Sequence, residues 1–360
     1  MSVTEVKPLS FKDQDFYIGI DVHKKQWTIS VITMNMLVVK NLSIEPFPKA
    51  LLNYMQRRFP QGNYYAAYEA GFCGFWIARQ LKALGLNCQV IHPADVPTSQ
   101  KERLGKNDRI DSIKIARSLS SNRLTAIYIP ERLAEEYRYL NRYRKRLVQD
   151  QTRIQNRIKS TLAYFGFAIP LAYRNRRWSG AFIQWLSTVE FESEFGKIAF
   201  EELLDQLQQT RSRISRVLKK IRQLAKEVSP FNIIVPLLQS VPGIGFIGAM
   251  ILATEIIDMR RFKTLEALAA LVGLIPTIQS SDEKEKNLGI SQRRNQYLRT
   301  LLIEAAWIAV KVDPALLMKF KDLCCRMNKN KAIVRIAKIL LNRIRRVWNT
   351  QTPYVKAMVA

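Results

Sequence analysis

Phe16-Tyr17-Ile18-Gly19-Ile20-Asp21-Val22 is an apolar run that ends on a carboxylate, and its aromatic and branched residues predict a β-strand over Tyr17 to Val22. The pattern repeats in Gln26 to Thr33 and Met36 to Ile44, the first joined to it by the polar connection His23-Lys24-Lys25. Pro48 to Phe59 then reads as an amphipathic helix, Tyr64 to Glu69 as a strand, and Phe75 to Leu84 as a helix stopped by Gly85. Asn87 to Ile91 reads as a fifth strand ended by Pro93, and Asp108 to Leu119 as a helix. Three strands followed by alternating helix and strand is the order of a ribonuclease H-like α/β domain, and it puts Asp21 and Glu69 on neighbouring strands.

Asp108 and Asp111 stand three apart in Lys106-Asn107-Asp108-Arg109-Ile110-Asp111, a spacing that sets both on one helix face. Four such acids, in a chain with 57 Lys plus Arg against 30 Asp plus Glu, predict a divalent metal site acting on nucleic acid. Singly, each acid has an ordinary reading. Asp108 and Asp111 serve as a helix N-cap and a surface charge, Glu69 ends a strand, and Asp21 caps a turn. Jointly, strand order and basic charge favour the metal. Lys24, Lys25, Lys101, Lys106 and Arg109 crowd the acids, either to bind phosphates or as a solvated, charge-compensating rim. His23 is expected on the opposite strand face from Asp21 or in the turn, in a structural role. Tyr68, Phe72 and Trp76 are expected in the core rather than stacking on bases.

The 360 residues suffice for two or three domains, and an apolar share of 48% describes a folded chain. A formal charge of +27 requires a polyanionic partner. Nucleic acid is favoured over an anionic membrane, because no apolar run approaches the roughly 20 residues that span a bilayer. Met1-Ser2-Val3-Thr4-Glu5 lacks the basic and apolar regions of a signal peptide, so the expected compartment is cytoplasmic. Cys73, Cys88, Cys324 and Cys325 form no C-x-x-C pair, which agrees. His23 and His92 are the only histidines, too few for a zinc site or a Ser-His-Asp triad, so chemistry rests on carboxylates and hydroxyls.

From 131 to 165, Leu133, Tyr137, Leu140, Leu147, Ile154, Ile158 and Leu162 form one apolar seam of a long arginine-rich helix. Leu207, Ile214, Val217, Ile221, Leu224 and Val228 keep a heptad in a second helix, 201 to 228, to pair with the first or with another chain. Phe165 to Phe200 reads as an irregular linker with some helix. Ser240-Val241-Pro242-Gly243-Ile244-Gly245 reads as the turn of a helix-hairpin-helix element, with Gly243 and Gly245 freeing backbone N–H groups for a phosphate. Phe262 to Val272 is expected as helix, Gly273 to Gly289 as loop, Gln292 to Val312 as helix, and Lys331 to Trp348 as a basic amphipathic helix. The expected domains are 1–130, α/β; 131–230, coiled coil and linker; and 231–360, helical. In the loop, Ser280 or Ser281 would attack a phosphodiester if Lys284, Lys286, Arg293, Arg294 and Arg299 stabilised the charge. On composition alone the pair is an ordinary polar turn.

At these residues the chain resembles the IS110-type transposases, the DEDD recombinases of insertion sequences that include the Piv and MooV invertases. The N-terminal half carries the resemblance through Gly19-Ile20-Asp21-Val22-His23-Lys24-Lys25, Tyr68-Glu69-Ala70-Gly71, His92-Pro93-Ala94-Asp95-Val96-Pro97 and Lys106 to Asp111. The C-terminal half does so through Val241-Pro242-Gly243-Ile244-Gly245, Gly273-Leu274-Ile275-Pro276, Ser280-Ser281 and Tyr297-Leu298-Arg299. The resemblance implies a RuvC-like N-terminal domain, a coiled-coil middle and a helical C-terminal transposase domain that bears a catalytic serine. Asp21, Glu69, Asp108 and Asp111 become the tetrad for Mg2+ or Mn2+, and one of Ser280 and Ser281 the nucleophile that forms a phosphoserine–DNA intermediate. Asp282-Glu283 stand where relatives usually carry glycine. The implied partners are DNA, an element-encoded structured guide RNA, and further copies of the chain, as a dimer and as a tetramer in the synaptic complex, near the nucleoid. The two long helices are the candidate dimer contacts, and a composite centre would join the tetrad of one subunit to the serine of another. Two rival readings stay open: a RuvC-like metal-dependent nuclease with inert serines, and a non-catalytic nucleic-acid-binding protein.

Overall fold

The structure is a computed structural model that describes residues 10–34, 36–96, 111–174, 178–281, 284–291 and 293–356. It divides into two compact units, residues 1–129 and 130–360.

The first unit is built on strands β1 (Asp15–Val22), β2 (Trp27–Thr33), β3 (Met36–Ile44), β4 (Asn63–Glu69) and β5 (Asn87–Ile91), in the sheet order β3-β2-β1-β4-β5. Short connections leave β1, β2 and β3 antiparallel, whereas β1, β4 and β5 run parallel. Parallel pairing needs crossovers, supplied by helices α1 (Pro48–Arg58) and α2 (Trp76–Ala83). Alternation along β1 sorts its residues by face. Phe16, Ile18 and Ile20, all fully buried, join Tyr68 against Leu51 and Met55 of α1 and Ile77 and Leu81 of α2. Burial of each contributes about 1.5–3 kcal/mol. The opposite face, with Tyr17, Tyr65 and Ala67, is covered by Ile115 and Leu119 of α3 (Asp111–Ser120). The expected start of that helix at Asp108 lies outside the described residues.

The second unit begins with α4 (Arg132–Tyr164), followed by the short α5 (Leu171–Arg174) and α6 (Gly180–Leu186), and then α7 (Glu194–Glu227). The long helices α4 and α7 pack against each other. At one end of the pair Ile154, Ile158 and Leu162 meet Phe182, Leu186, Phe200 and Leu207; at the other, Tyr137, Leu140 and Ile221 join the C-terminal core. Most of the two apolar seams is thus filled within one chain, while Leu133 is left exposed. The segment read as an irregular linker holds two capped helix starts, with Ser179 accepting from the Phe182 N–H and Ser193 from the Gly196 N–H.

Helices α8 (Phe231–Gln239) and α9 (Phe246–Ile256) flank the Gly243 turn, and α10 (Leu265–Val272) follows. The single helix expected from Phe262 is shorter, because the Thr264 hydroxyl accepts from the Ala267 N–H at 3.2 Å and starts α10 there. The loop expected over 273–289 is an antiparallel hairpin, β6 (Pro276–Ser281) with β7 (Lys284–Ile290). It escapes a periodicity reading because no apolar residue stands between Ile278 and Leu288. Helix α11 (Gln296–Val312) starts later than expected, at the Asn295 cap, whose side chain accepts from the Tyr297 and Leu298 N–H groups. An unread helix, α12 (Pro314–Arg326), starts at a proline behind the Asp313 cap, and α13 (Lys329–Thr350) closes the chain. Among the described residues no helix is long and apolar enough to cross a membrane.

Candidate active site

Ile20 of β1 faces Tyr68 of β4 in parallel register, so the next residues, Asp21 and Glu69, come side by side at the C-terminal ends of two central strands. Alternation puts both on the α3 face. Gly19 lets α3 close on that face, since a Cβ built there would stand 1.9 Å from the Ser112 carbonyl oxygen and 2.5 Å from the Ala116 nitrogen. A hydrogen bond of 2.8 Å between the Ser30 and Ser112 hydroxyls fixes the same helix to β2. The first residue of α3, Asp111, thereby joins Asp21 and Glu69 in one pocket of about 140 Å3. Burial pushes the Glu69 carboxyl above its ordinary pKa, and the negative charges of Asp111 and Asp21 push it further, against the opposing charge of Lys114.

By donor chemistry the three carboxylates fit a hard cation, since all are oxygen ligands and their mutual repulsion leaves the pocket short of positive charge. Among the described residues, however, no group of three or more His, Cys, Asp or Glu side chains is close enough to hold a metal ion. The fourth acid, Asp108, lies outside the described residues with Lys106 and Arg109. His23 stands in the turn after Val22, one of the two places read for it, and the turn brings its Nε2 to 2.9 Å from Asp21 Oδ2. Lys24 and Lys25 are exposed. Tyr68 is core, its hydroxyl donating to the Gly74 carbonyl, but Phe72 and Trp76 are 65% and 40% exposed. Phe72 lines the acidic pocket, with Lys24 Nζ 5.9 Å from its ring centroid.

In the second unit, Ser280 and Ser281 end β6, paired in register with Glu285 and Lys284. They stand beside the tip of the hairpin; residues 282 and 283 lie outside the described residues. The root of the hairpin is tied by the Ser291 N–H to the Ile275 carbonyl and by the Asn295 N–H to the Leu271 carbonyl. Arg293 and Arg294 are exposed beside it. Arg299, expected to face nucleic acid, is only 8% exposed, and its guanidinium is consumed by backbone carbonyls. Its burial and the neighbouring charge of Arg294 lower its pKa. Gly243 likewise serves packing: its φ is +83°, and a Cβ there would meet the Ala305 carbonyl oxygen at 2.3 Å. Gly245 is exposed at the start of α9.

One cluster went unread in the sequence. Glu255 of α9, 4% exposed, accepts two bonds of 2.7 Å from Arg142 of α4 and a third of 2.7 Å from Asn295, with Arg138 Nε at 3.7 Å. The available signal was a lone acid in the apolar run Phe246-Ile247-Gly248-Ala249-Met250-Ile251-Leu252-Ala253-Thr254-Glu255, because buried acids need partners. Arg142 and Lys145 each lie 4.8 Å from the Tyr297 ring centroid.

A mixed five-stranded sheet with helices on both faces, ahead of a mostly helical unit, is consistent with a ribonuclease H-like start. Family comparison agrees. A transposase model of the DEDD IS110 type matches residues 18–166, and the model described as "Transposase IS116/IS110/IS902 family" matches residues 235–321. The transposase candidate y4rJ of Sinorhizobium fredii is 30% identical over 302 residues, which cover 76% of this chain and 74% of that protein. A second candidate from the same organism, y4qE, is 29% identical over 245 residues, 68% of this chain and 58% of that protein. The transposase for insertion sequence element IS1533 of Leptospira borgpetersenii is 26% identical over 295 residues, 81% and 84% of the two chains. The chain belongs to the IS116/IS110/IS902 family of transposases.

Proposed function

We propose that this transposase cuts and exchanges DNA strands through a phosphoserine–DNA intermediate, with Asp21, Glu69, Asp108 and Asp111 holding Mg2+ or Mn2+ at the reacting phosphate. The observation that carries this reading is the meeting of Asp21, Glu69 and Asp111 in one pocket at the ends of β1 and β4. Three carboxylates alone repel a phosphate. Asp21, Glu69 and Asp111, with Asp108, would hold the divalent cation, which would supply the positive charge that a phosphate needs there. His23 orients Asp21 through the 2.9 Å contact, and Lys24 and Lys25 present ammonium groups to the strand backbone.

The nucleophile is Ser280 or Ser281. Its Oγ bonds to phosphorus while one ester P–O bond of the strand breaks, and the proton it releases ends on the freed alcohol oxygen. Strand exchange requires several such centres, so the protein acts as a homo-oligomer in which the tetrad of one subunit serves the serine of another. The choice of sequence lies with an element-encoded structured RNA, and the +27 charge suits a protein that holds duplex backbones rather than reading bases.

The test is to incubate the protein with Mg2+, element-end DNA and the flanking transcript, and to look for a protease-sensitive protein–DNA adduct. The wild type is expected to form it. The double variant Ser280→Ala/Ser281→Ala is expected to lose it, as are Asp21→Ala and Glu69→Ala, with DNA binding kept. Cutting without an adduct would replace serine chemistry by a water-using nuclease, and cutting that survives Asp21→Ala would remove the tetrad.

A further inference from the structure

Gly273-Leu274-Ile275-Pro276 and Tyr297-Leu298-Arg299 stand apart in the sequence and meet in the fold. The guanidinium of Arg299 donates to the carbonyls of Val272, at 3.4 Å, and of Gly273 and Ser291. Val272 and Gly273 precede β6, and Ser291 directly follows β7. One buried cation therefore grips both ends of the hairpin that carries Ser280 and Ser281. Its place is reserved by Gly273, whose φ is +81° and whose built Cβ would stand 2.1 Å from Arg299 Nη2 and 2.6 Å from Arg294 Cβ. Any other residue there would be strained in backbone and would evict the guanidinium.

Burying a guanidinium is costly, and among the described residues the hydrogen-bond partners of Arg299 are carbonyl oxygens rather than carboxylates. An aliphatic side chain would fill the space without that cost. What it would lack is a rigid fork of donors that bonds two chain segments at once.

We propose that Arg299 is a positioning residue that sets the direction in which the serine hairpin projects. The inference rests on the serine reading above. Six strand residues carry the hairpin about 20 Å from its root to Ser281. Over that length a tilt of about 3° at the root moves the tip by about 1 Å, a misplacement that costs a reaction on the order of 100-fold.

The test compares full-length wild type with Arg299→Lys and Arg299→Met, reading amide hydrogen exchange, DNA affinity and the rate of adduct formation at saturating DNA. Lysine keeps the charge without the fork, and methionine keeps the volume without the charge. Exchange of the amides of residues 277–290 is expected to accelerate on the order of 10-fold in both, while α8 and α9 keep their protection. The adduct rate is expected to fall on the order of 100-fold, with DNA affinity held within about twofold. Wild-type exchange in the hairpin together with a wild-type adduct rate in Arg299→Lys would overturn the proposal. If Arg299→Met does not fold, the lysine variant alone decides. If the wild type forms no adduct, the serine reading fails, and the exchange measurement still decides whether Arg299 holds the hairpin.

Discussion

Gly19→Ala tests the construction of the acidic pocket without touching an acid. The new methyl would stand 1.9 Å from the Ser112 carbonyl oxygen, where ordinary contact begins at 3.4 Å. Helix α3 must therefore retreat by about 1.5 Å, because its backbone has no rotamer by which to yield. Overpacking of this kind costs about 1–3 kcal/mol. For a unit of this size that lowers the melting temperature by about 3–10 °C. The retreat carries Asp111 away from Asp21 and Glu69, and a displacement above 1 Å lowers the rate by about 100-fold or more. Differential scanning calorimetry and the Mg2+-dependent adduct assay, run on the same preparation, read the two effects. A Gly19→Ala protein that melts within about 1 °C of wild type and reacts at its rate would refute the claim that close approach of α3 builds the site.

Glu69→Gln should stabilise the protein at pH 7 in EDTA and abolish activity. The folded pKa of Glu69 lies above the ordinary 4.5, so the folded state holds more protons between the two values and stability falls as pH rises through that window. The advantage of the variant vanishes below about pH 4, and Mg2+ raises the melting temperature of wild type but not of Glu69→Gln; a wild type that out-melts the variant in EDTA at pH 7 contradicts this. Glu255→Ala strands Arg142 and Arg138 in the interior and should cost about 3–5 kcal/mol in urea unfolding; a loss below about 1 kcal/mol would show that the cluster is dispensable. Asp313, fully buried, is desolvated, yet hydrogen bonds from Tyr354 and the Leu316 N–H and the charge of Arg343 at 3.1 Å hold its pKa below 3.8. Its contribution is complete above the unfolded pKa and fades as pH drops through the lowered folded value. Asp313→Asn should melt lower at pH 7 and show a shallower loss of stability between pH 4 and 2, and parallel curves would sink the assignment.

The first unit was largely legible because its signals are local. Apolar runs of strand length, punctuated by Gly85 and Pro93, mark elements whose buried faces alternate. Placing Asp21 beside Glu69 required only the strand order, since parallel register does the rest. His23 sits in the turn, as one of its two readings had it, but its contact with Asp21 depends on how that turn folds; the exposure of Phe72 and Trp76 depends on what lies beyond them, which residue type does not report. In the second unit the hairpin stayed hidden among polar residues, where pairing rather than burial defines the strands. Arg299 and Gly243 carried residue types that bind phosphate and were read accordingly. Their employment inside the fold follows from approaches to Gly273 and Ala305, distant in the chain.

The 33 residues of α4 form a rod about 50 Å long, equal to about 15 base-pair steps of duplex. Its neighbour α7 packs along the apolar seam, and the aromatic cluster around Phe182 closes over Ile154, Ile158 and Leu162 at one end. From Tyr164 back to Arg142 the rod measures about 33 Å. Arg142 is bonded to Glu255, Glu255 to Asn295, and the Asn295 N–H to the Leu271 carbonyl in the last turn of α10, ahead of the serine hairpin. Three hydrogen-bonded links thus run from the middle of α4 to the stem ahead of the element that carries Ser280 and Ser281.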